Sequence, residues 1–328
     1  MKKIFCKKLI EYIITFLCII TLNFIIPRLM PGDPFTFLSS EEGDSIVNYS
    51  DEQIEKYKEY YGLNKSIVHQ YKDYIVNMVK GNIGYSIYYN EDVLKLIISR
   101  AVWTIPIVLI SIILSCLIGI FLGSISAWYN NSYIDKILYF IMIIFSEIPA
   151  FLIGVLFLFI LAAKLDLFPL SGAVSVFESY DSYFSKVKDV VNHGFLPVLT
   201  LVLSRVGGFY LLSRNSMISV LSKDYIRTAE GKGLSNMLIL FKHALKNAIL
   251  PIVTRFFLSL SAIFGGAVLV ENVFHYPGVG LLMKEAIMVR DYPLIQGIFL
   301  FITITVLTMN LLADIVYRKM DPRVNNYE

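Results

Sequence analysis

Apolar residues in this chain come in long, nearly unbroken runs, without the two-residue alternation of a half-buried strand or the narrow stripe of a surface helix. A helix needs about 20 mostly apolar residues to cross about 30 Å of hydrocarbon, and six stretches meet that length. The first runs from Leu9 to Leu29, with Glu11 and Arg28 near its ends. The second has its core at Val102–Trp128, because no charged residue follows Ala101 until Asp135. The third, Ile137–Ala163, is interrupted only by Glu147, and the fourth, Phe195–Leu212, only by Arg205. The fifth, Ala248–Val270, carries Arg255 near its start, and the sixth is Tyr292–Ala313.

Three polar segments separate these runs. Residues 32–98 form an insertion with two expected helices, Asp51–Tyr61 and Ser66–Lys80, divided by Gly62-Leu63-Asn64; Gly81-Asn82-Ile83-Gly84 stops the second. Residues 164–194 read as a loop rich in Tyr, Ser and Asp, and 219–247 as a basic segment with its own helix.

Composition agrees with the pattern. The chain has 328 residues, 56% hydrophobic and 17% charged, against about 45–50% and about 25% in soluble domains. The net charge of +3 is too small to imply nucleic acid, but its placement sets direction. Lys2, Lys3, Lys7 and Lys8 precede the first run, Arg318, Lys319 and Arg323 follow the last, and Arg214, Lys223, Arg227, Lys232, Lys242 and Lys246 lie between runs four and five. All three clusters fall on one side of a six-span topology, the cytoplasmic side by the positive-inside rule. The insertion, locally acidic at Glu41, Glu42, Asp44, Asp51, Glu52, Glu55 and Glu59, is then external. Pro27-Arg28-Leu29-Met30-Pro31 is no small-residue cleavage site, so the first run reads as a retained helix, not a signal peptide.

Catalytic signatures are sparse. There is no Gly-x-x-x-x-Gly-Lys-Ser/Thr loop for ATP, and Gly278-Val279-Gly280 lacks the third glycine of a dinucleotide fingerprint. His69, His193, His243 and His275 are scattered, and Cys6, Cys18 and Cys116 have no paired spacing, so neither a zinc site nor a disulfide framework is expected. No cofactor is expected on this chain.

Charges inside the runs say more. An ionisable group near the bilayer centre costs at least ~2.5–3.5 kcal/mol on insertion scales, so it faces protein or water. Glu147 and Arg205 each lie about ten residues into antiparallel spans, roughly 15 Å deep at 1.5 Å per residue. They are expected either to pair or to line one aqueous cavity as substrate-pathway residues. Snorkelling accounts for Arg255. In the basic segment, Asp224–Leu234 reads as a short amphipathic helix stopped by glycine, its small residues suited to docking in a protein groove. The same segment would also lie on anionic lipid.

At Tyr225-Ile226-Arg227-Thr228-Ala229-Glu230-Gly231-Lys232-Gly233-Leu234 and His243-Ala244-Leu245-Lys246-Asn247-Ala248-Ile249-Leu250-Pro251, the sequence resembles the inner-membrane permeases of ATP-binding-cassette importers, in the dipeptide/oligopeptide/nickel branch. The stretch looks like that family's cytoplasmic EAA-type loop, with Gly231 for the usual alanine and Ile249 for leucine. Further matching peptides occur in order along the chain: Met30-Pro31-Gly32-Asp33-Pro34, Tyr61-Gly62-Leu63, Gly81-Asn82-Ile83-Gly84 with Ser86, Leu196-Pro197, Glu271-Asn272-Val273-Phe274, Tyr276-Pro277-Gly278-Val279-Gly280, Arg290–Gly297 and Asp321-Pro322-Arg323. Glu147 stands where the family more often has an uncharged residue, and Arg205 is also atypical.

The resemblance implies an all-α membrane protein of the type I importer permease fold, with six transmembrane helices, both termini cytoplasmic and an external insertion after helix 1. It divides the chain into 1–98 (first helix plus external segment), 99–317 (permease domain) and a cytoplasmic tail 318–328. It assigns coupling to partner ATPases to Asp224, Arg227, Ala229, Glu230, Gly233 and Leu234. The implied partners are a second homologous permease, two ATPase subunits that hold the ATP and Mg, an extracytoplasmic binding protein and the lipid of a prokaryotic inner or plasma membrane. The implied cargo is short peptides, with nickel or a metallophore as the alternative. An ion-gradient transporter using Glu147 is the reading from another class.

Overall fold

The computed structural model describes residues 2–30, 51–60, 62–176, 180–261 and 263–320. In chain order its helices are α1 (Lys2–Arg28), α2 (Asp51–Tyr60), α3 (Ile67–Val79), α4 (Val93–Trp128), α5 (Tyr133–Glu147) and α6 (Ala150–Phe157), the last prolonged by a π-helical stretch Leu158–Lys164. Then come α7 (Tyr183–Leu221), α8 (Asp224–Gly231) and α9 (Asn236–Leu238), which passes through a π-helical segment Ile239–Ala244 into α10 (Leu245–Ser261). Helices α11 (Ile263–Val273), α12 (Val279–Met288) and α13 (Tyr292–Met320) complete the order. The only pairing of strand type among the described residues is one isolated bridge, Tyr85 with Asp92. Two compact units emerge, Met1–Val102 with Gly278–Leu307, and Trp103–Pro277 with Thr308–Glu328.

In the first unit, α1 ends against α3. Phe24 meets Tyr71 edge-on, ring centroids 5.1 Å apart, and the Arg28 guanidinium lies 3.6 Å over the Phe24 ring. Arg28 also donates from Nε and Nη2 to Gln70 Oε1 at 3.0 and 2.9 Å. Tyr74, beside them, has its phenol pushed up to about 12 by burial. Gly81, at φ +78°, ends α3 in a conformation that favours glycine.

Two separated peptides of the sequence then converge. Asp291 is fully buried, and its carboxylate accepts from Ser86 Oγ at 2.6 Å, Tyr88 N–H at 2.9 Å and Leu294 N–H at 3.1 Å. Burial pushes this carboxyl up, while those donors pull it back. A Cβ on Gly297 would lie 2.3 Å from Val93 Cγ1 and 2.9 Å from Ile83 Cγ2, so only glycine permits this approach. The Gly81–Ser86 and Arg290–Gly297 peptides are thus one structural element.

In the second unit, α7 is central. Ser115 Oγ on α4 donates to the Val202 carbonyl at 3.2 Å. On the α5 side, a Cβ at Gly207 would sit 2.4 Å from the Met142 carbonyl oxygen and 2.8 Å from Ser146 Cβ. Small residues at such crossings let backbones meet, which matters where water gives helices no reason to associate. Gly154 on α6 packs near Thr200 and Phe274. At one end of the unit, Thr104 donates to the buried Glu271 at 2.6 Å and Trp103 meets Tyr276 edge-on at 6.1 Å. Burial pushes the Tyr276 phenol up to about 12.

Among the described residues five helices are long and apolar enough to cross a membrane, and counting the bent pair α5–α6 as one broken span brings the number to six. The expected boundaries shift in physically explicable ways. The second span begins earlier, at Val93, because Lys95 and Arg100 fall on the helix before its apolar core. The third is not one straight helix: it bends by 96° between Glu147 and Ala150. Pro149 explains the break, since the residue before proline is driven out of helical conformation, and Ile148 is extended at ψ 123°. The fourth starts at Tyr183, twelve residues before Phe195, capped by Ser182. The expected loop 164–194 is therefore partly helix, and its Ser175 and Tyr180 fold back to donate to Asp189 on that first stretch. The two helices expected in the insertion after the first run stand where expected, as α2 and α3. Residues 31–50, with Pro31–Pro34 and the acidic run at 41–44, and the tail 321–328 lie outside the described residues.

Candidate coupling surface and intramembrane charges

Helix α8 has two faces set by its sequence. Ile226 and Ala229, three residues apart on one side, are 2% and 8% exposed. They pack with Ala127 of α4, Met217 of α7, Ile239, Leu240 and Ala244 of the π-helical segment, and Ala248 of α10. Burying a side chain such as Ile226 is worth roughly 1.5–3 kcal/mol, so this face holds the helix to the membrane helices. Asp224, Arg227, Glu230 and Gly231 point outward and are exposed. The helix ends at Gly233, whose φ of +73° places it in the left-handed region, with its N–H donating to the Glu230 carbonyl at 2.9 Å. Nothing lies within 4 Å of where a Cβ on Gly231 or Gly233 would be.

The six residues assigned to coupling therefore divide. Asp224, Arg227, Glu230 and Gly233 are presented outward, while Ala229 is buried and Leu234 packs against the same core. The assignment of these six to coupling thus covers an outward set and an inward set. Three-residue spacing puts Ile226 and Ala229 on the inner side, and the glycine turn folds Leu234 back toward it.

One turn from this core lies a charge network that sequence reasoning missed. Asp135, at the start of α5, is 2% exposed. Arg214 of α7 grips it with two bonds of 2.7 Å, from Nε and from Nη2. The Asn131 N–H donates to the same carboxylate at 2.9 Å, and Ser126 Oγ of α4 donates to it as well. Ser126 also bonds Tyr210 Oη at 2.6 Å. The network ties α4, α5 and α7 together beside Ala127 and Met217, which touch α8. Arg214 had passed for a topology marker. The available signal was Asp135 itself, the one carboxylate between runs two and three.

Glu147 and Arg205 are not paired. Ser146 lies against Gly207, so α5 and α7 do meet at this level. Residues 205 and 207 point about 200° apart on a helix, and with Gly207 facing α5, Arg205 is turned to α4, where it donates to Ser111 Oγ at 3.2 Å. Glu147 is exposed at the α5–α6 bend. Arg255 on α10 is exposed too, and one of its Nη atoms lies 3.6 Å from where a Cβ on Gly208 would be. Among the described residues, no cluster of three or more His, Cys, Asp or Glu is placed to hold a metal ion.

Comparison with known proteins gives this geometry a family. Residues 119–326 match the model of the binding-protein-dependent transport system inner membrane component. The chain is 36% identical to the oligopeptide transport system permease protein AppB of Bacillus subtilis, over 92% of this chain and 93% of that one. It is 33% identical to a probable peptide ABC transporter permease protein, y4tP, of Sinorhizobium fredii, over 92% of each. With the glutathione transport system permease protein GsiC of Escherichia coli K12 it shares 31% over 97% of each. Among solved structures, the MetNI methionine ABC transporter in inward-facing conformations matches with a TM-score of 0.55 and 14% identity, covering 70% of this chain and 97% of that one. That likeness shows the fold. With full-length relatives at this identity and helices long enough to span, the chain belongs to the binding-protein-dependent inner membrane component family, as a multi-pass permease subunit of an ABC transporter.

Proposed function

We propose that this chain forms half of the translocation pathway of an ATP-driven importer of short peptides in a prokaryotic inner or plasma membrane, with a second homologous permease forming the other half. The near-full-length likeness to permeases named for peptides, oligopeptides and glutathione supports the cargo class. The observation that carries the mechanism is the two-faced α8: its inner side is built into the membrane core, and its outer side is polar, exposed and cleared by two glycines.

On this reading, the outward residues Asp224, Arg227, Glu230 and Gly233 seat in a groove of a partner ATPase. ATP binding and hydrolysis stay on the partners. When the ATPase dimer closes, it displaces α8, and the Ile226–Ala229 core passes the displacement to α4, α7 and α10. The Asp135–Arg214 network makes the ends of α4, α5 and α7 move together. A close-packed interior moves between discrete arrangements and does not deform smoothly, so the ATPases need only bias two states. An external binding protein delivers cargo, and Glu147 and Arg205 line the route.

The test is reconstitution with the second permease, the ATPases and the binding protein in vesicles. Peptides of graded length are offered beside a nickel chelate. ATP-dependent uptake of peptides is the expected result. Uptake of the chelate alone would move the cargo to a metallophore, and uptake following a proton gradient without ATP would end the importer reading.

A further inference from the structure

Helix α7 buries Val202, Val206, Phe209, Tyr210, Ser213 and Met217, and leaves Ser204, Arg205, Gly208 and Leu212 half-exposed along one stripe. That spacing of three and four residues is one face of a helix. Two guanidinium groups attend it. Arg205 belongs to the stripe and has Ser111 Oγ as a neutral partner at 3.2 Å. Arg255 reaches it from α10, with a guanidinium nitrogen 3.6 Å from the missing Cβ of Gly208. Any longer side chain at 208 would occupy the space that Arg255 enters.

Among the described residues neither guanidinium has a carboxylate partner. Both lie within segments apolar enough to span, Tyr183–Leu221 and Asn236–Ser261. Hydrocarbon does not accept Arg205 at its depth, and Arg255, expected to snorkel outward, reaches the same stripe instead, so the stripe faces water or an anion. A guanidinium is permanently charged and presents a planar fork that matches a carboxylate. Arg214, nine residues further along the same helix, uses that fork on Asp135; Arg205 has its fork free apart from one hydroxyl.

We infer that Arg205 and Arg255, on the Gly208 stripe of α7, are the receptor for the free C-terminal carboxylate of the transported peptide. This rests on the peptide reading above and adds which end of the cargo is held, and by which residues. One cation anchors the carboxylate and the other, along the stripe, offers the next position. Cargo can then pass between them without meeting a single site tight enough to trap it. Peptides with an amidated C-terminus carry no anion there and lose the interaction.

The test uses the complete reconstituted complex and two probes, trialanine and its C-terminal amide. Uptake by Arg205→Gln and Arg255→Gln is divided, for each probe, by that of the unaltered complex, which removes the binding protein's own preference. Trialanine uptake should fall about tenfold in each variant and the amide less than twofold. A second measurement bypasses the binding protein. In a complex freed of native cysteines, a Ser204→Cys thiol, on the same stripe and close in size to the native side chain, should be shielded from maleimide by millimolar trialanine and not by the amide.

An equal fall for both probes, with thiol shielding that ignores the carboxylate, overturns the assignment while leaving the peptide importer standing. Loss of the second permease from the purified Arg205→Gln complex overturns it too, because the anion would then be that subunit's. If the unaltered complex imports no peptide at all, both this inference and the reading beneath it fall.

Discussion

Two arginines stand nine residues apart on α7, and their surroundings are opposite. Arg214 is locked by two 2.7 Å bonds to a carboxylate that is itself 2% exposed. Arg205 has one hydroxyl at 3.2 Å. A buried pair of the first kind is strongly destabilising to break from one side, because the remaining charge has nowhere to go. A cation of the second kind has kept its capacity to bind. One position fixes the architecture at the α8 end of the unit; the other leaves charge available where cargo would pass.

The largest expected effect comes from breaking the answered charge. Asp135→Ala should destabilise the protein by about 3–5 kcal/mol, seen as a collapse of the size-exclusion peak and of the melting temperature in detergent. Pairing it with Arg214→Met should recover much of that loss, since both charges are then gone. A double variant as unstable as the single one would show that the carboxylate acts through its bonds to Ser126 and Asn131 and not through Arg214.

Next is the crossing that sets which way Arg205 points. Gly207→Val places a Cβ 2.4 Å from the Met142 carbonyl oxygen and should cost about 1–3 kcal/mol by overpacking. If the melting temperature is unchanged, α5 and α7 do not meet there, and the account of why Glu147 and Arg205 fail to pair is lost.

The two faces of α8 extend the contrast. Ala229→Leu intrudes on the core and should lower stability by about 1–3 kcal/mol. Glu230→Lys, on the exposed side, should leave stability within about 0.5 kcal/mol yet sharply reduce peptide-stimulated ATP hydrolysis in the assembled complex. Equal stability losses from the two would mean that α8 has no free face.

The smallest structural effect is expected at the unanswered charge. Arg205→Gln should shift the melting temperature by less than any variant above while altering cargo preference. A loss of stability rivalling Asp135→Ala would erase the distinction between the two arginines.

Much of this was legible in the chain. The runs at Val102–Trp128 and Tyr292–Ala313 lie within α4 and α13 because uninterrupted apolar length has few solutions in a bilayer. Helices α2 and α3 came from local signals, glycine stops and apolar spacing, which act over a few residues. What escaped depended on distant partners. Nothing in the sequence around Asp135 announces Arg214, 79 residues away, or says that Ser86 will bond Asp291, 205 residues away. Similar depth correctly brought α5 and α7 to one level, but depth does not give rotation about the helix axis, so the Glu147–Arg205 pair did not follow. The inward turn of Ala229 was readable from its three-residue spacing to Ile226, a face that the motif residues as a set do not separate.

The bend at Pro149 has a consequence for how the chain enters its membrane. Pro149 sets the break locally through the extended Ile148, so it is present as soon as this stretch is made. What fixes α6 at 96° to α5 is contact made later: Gly154 against Thr200 and Phe274, residues that follow it in synthesis. The break is therefore built in and its angle acquired. Synthesis halted before α7 should leave the third run broken at Pro149 but variable in angle, and full-length synthesis should fix it.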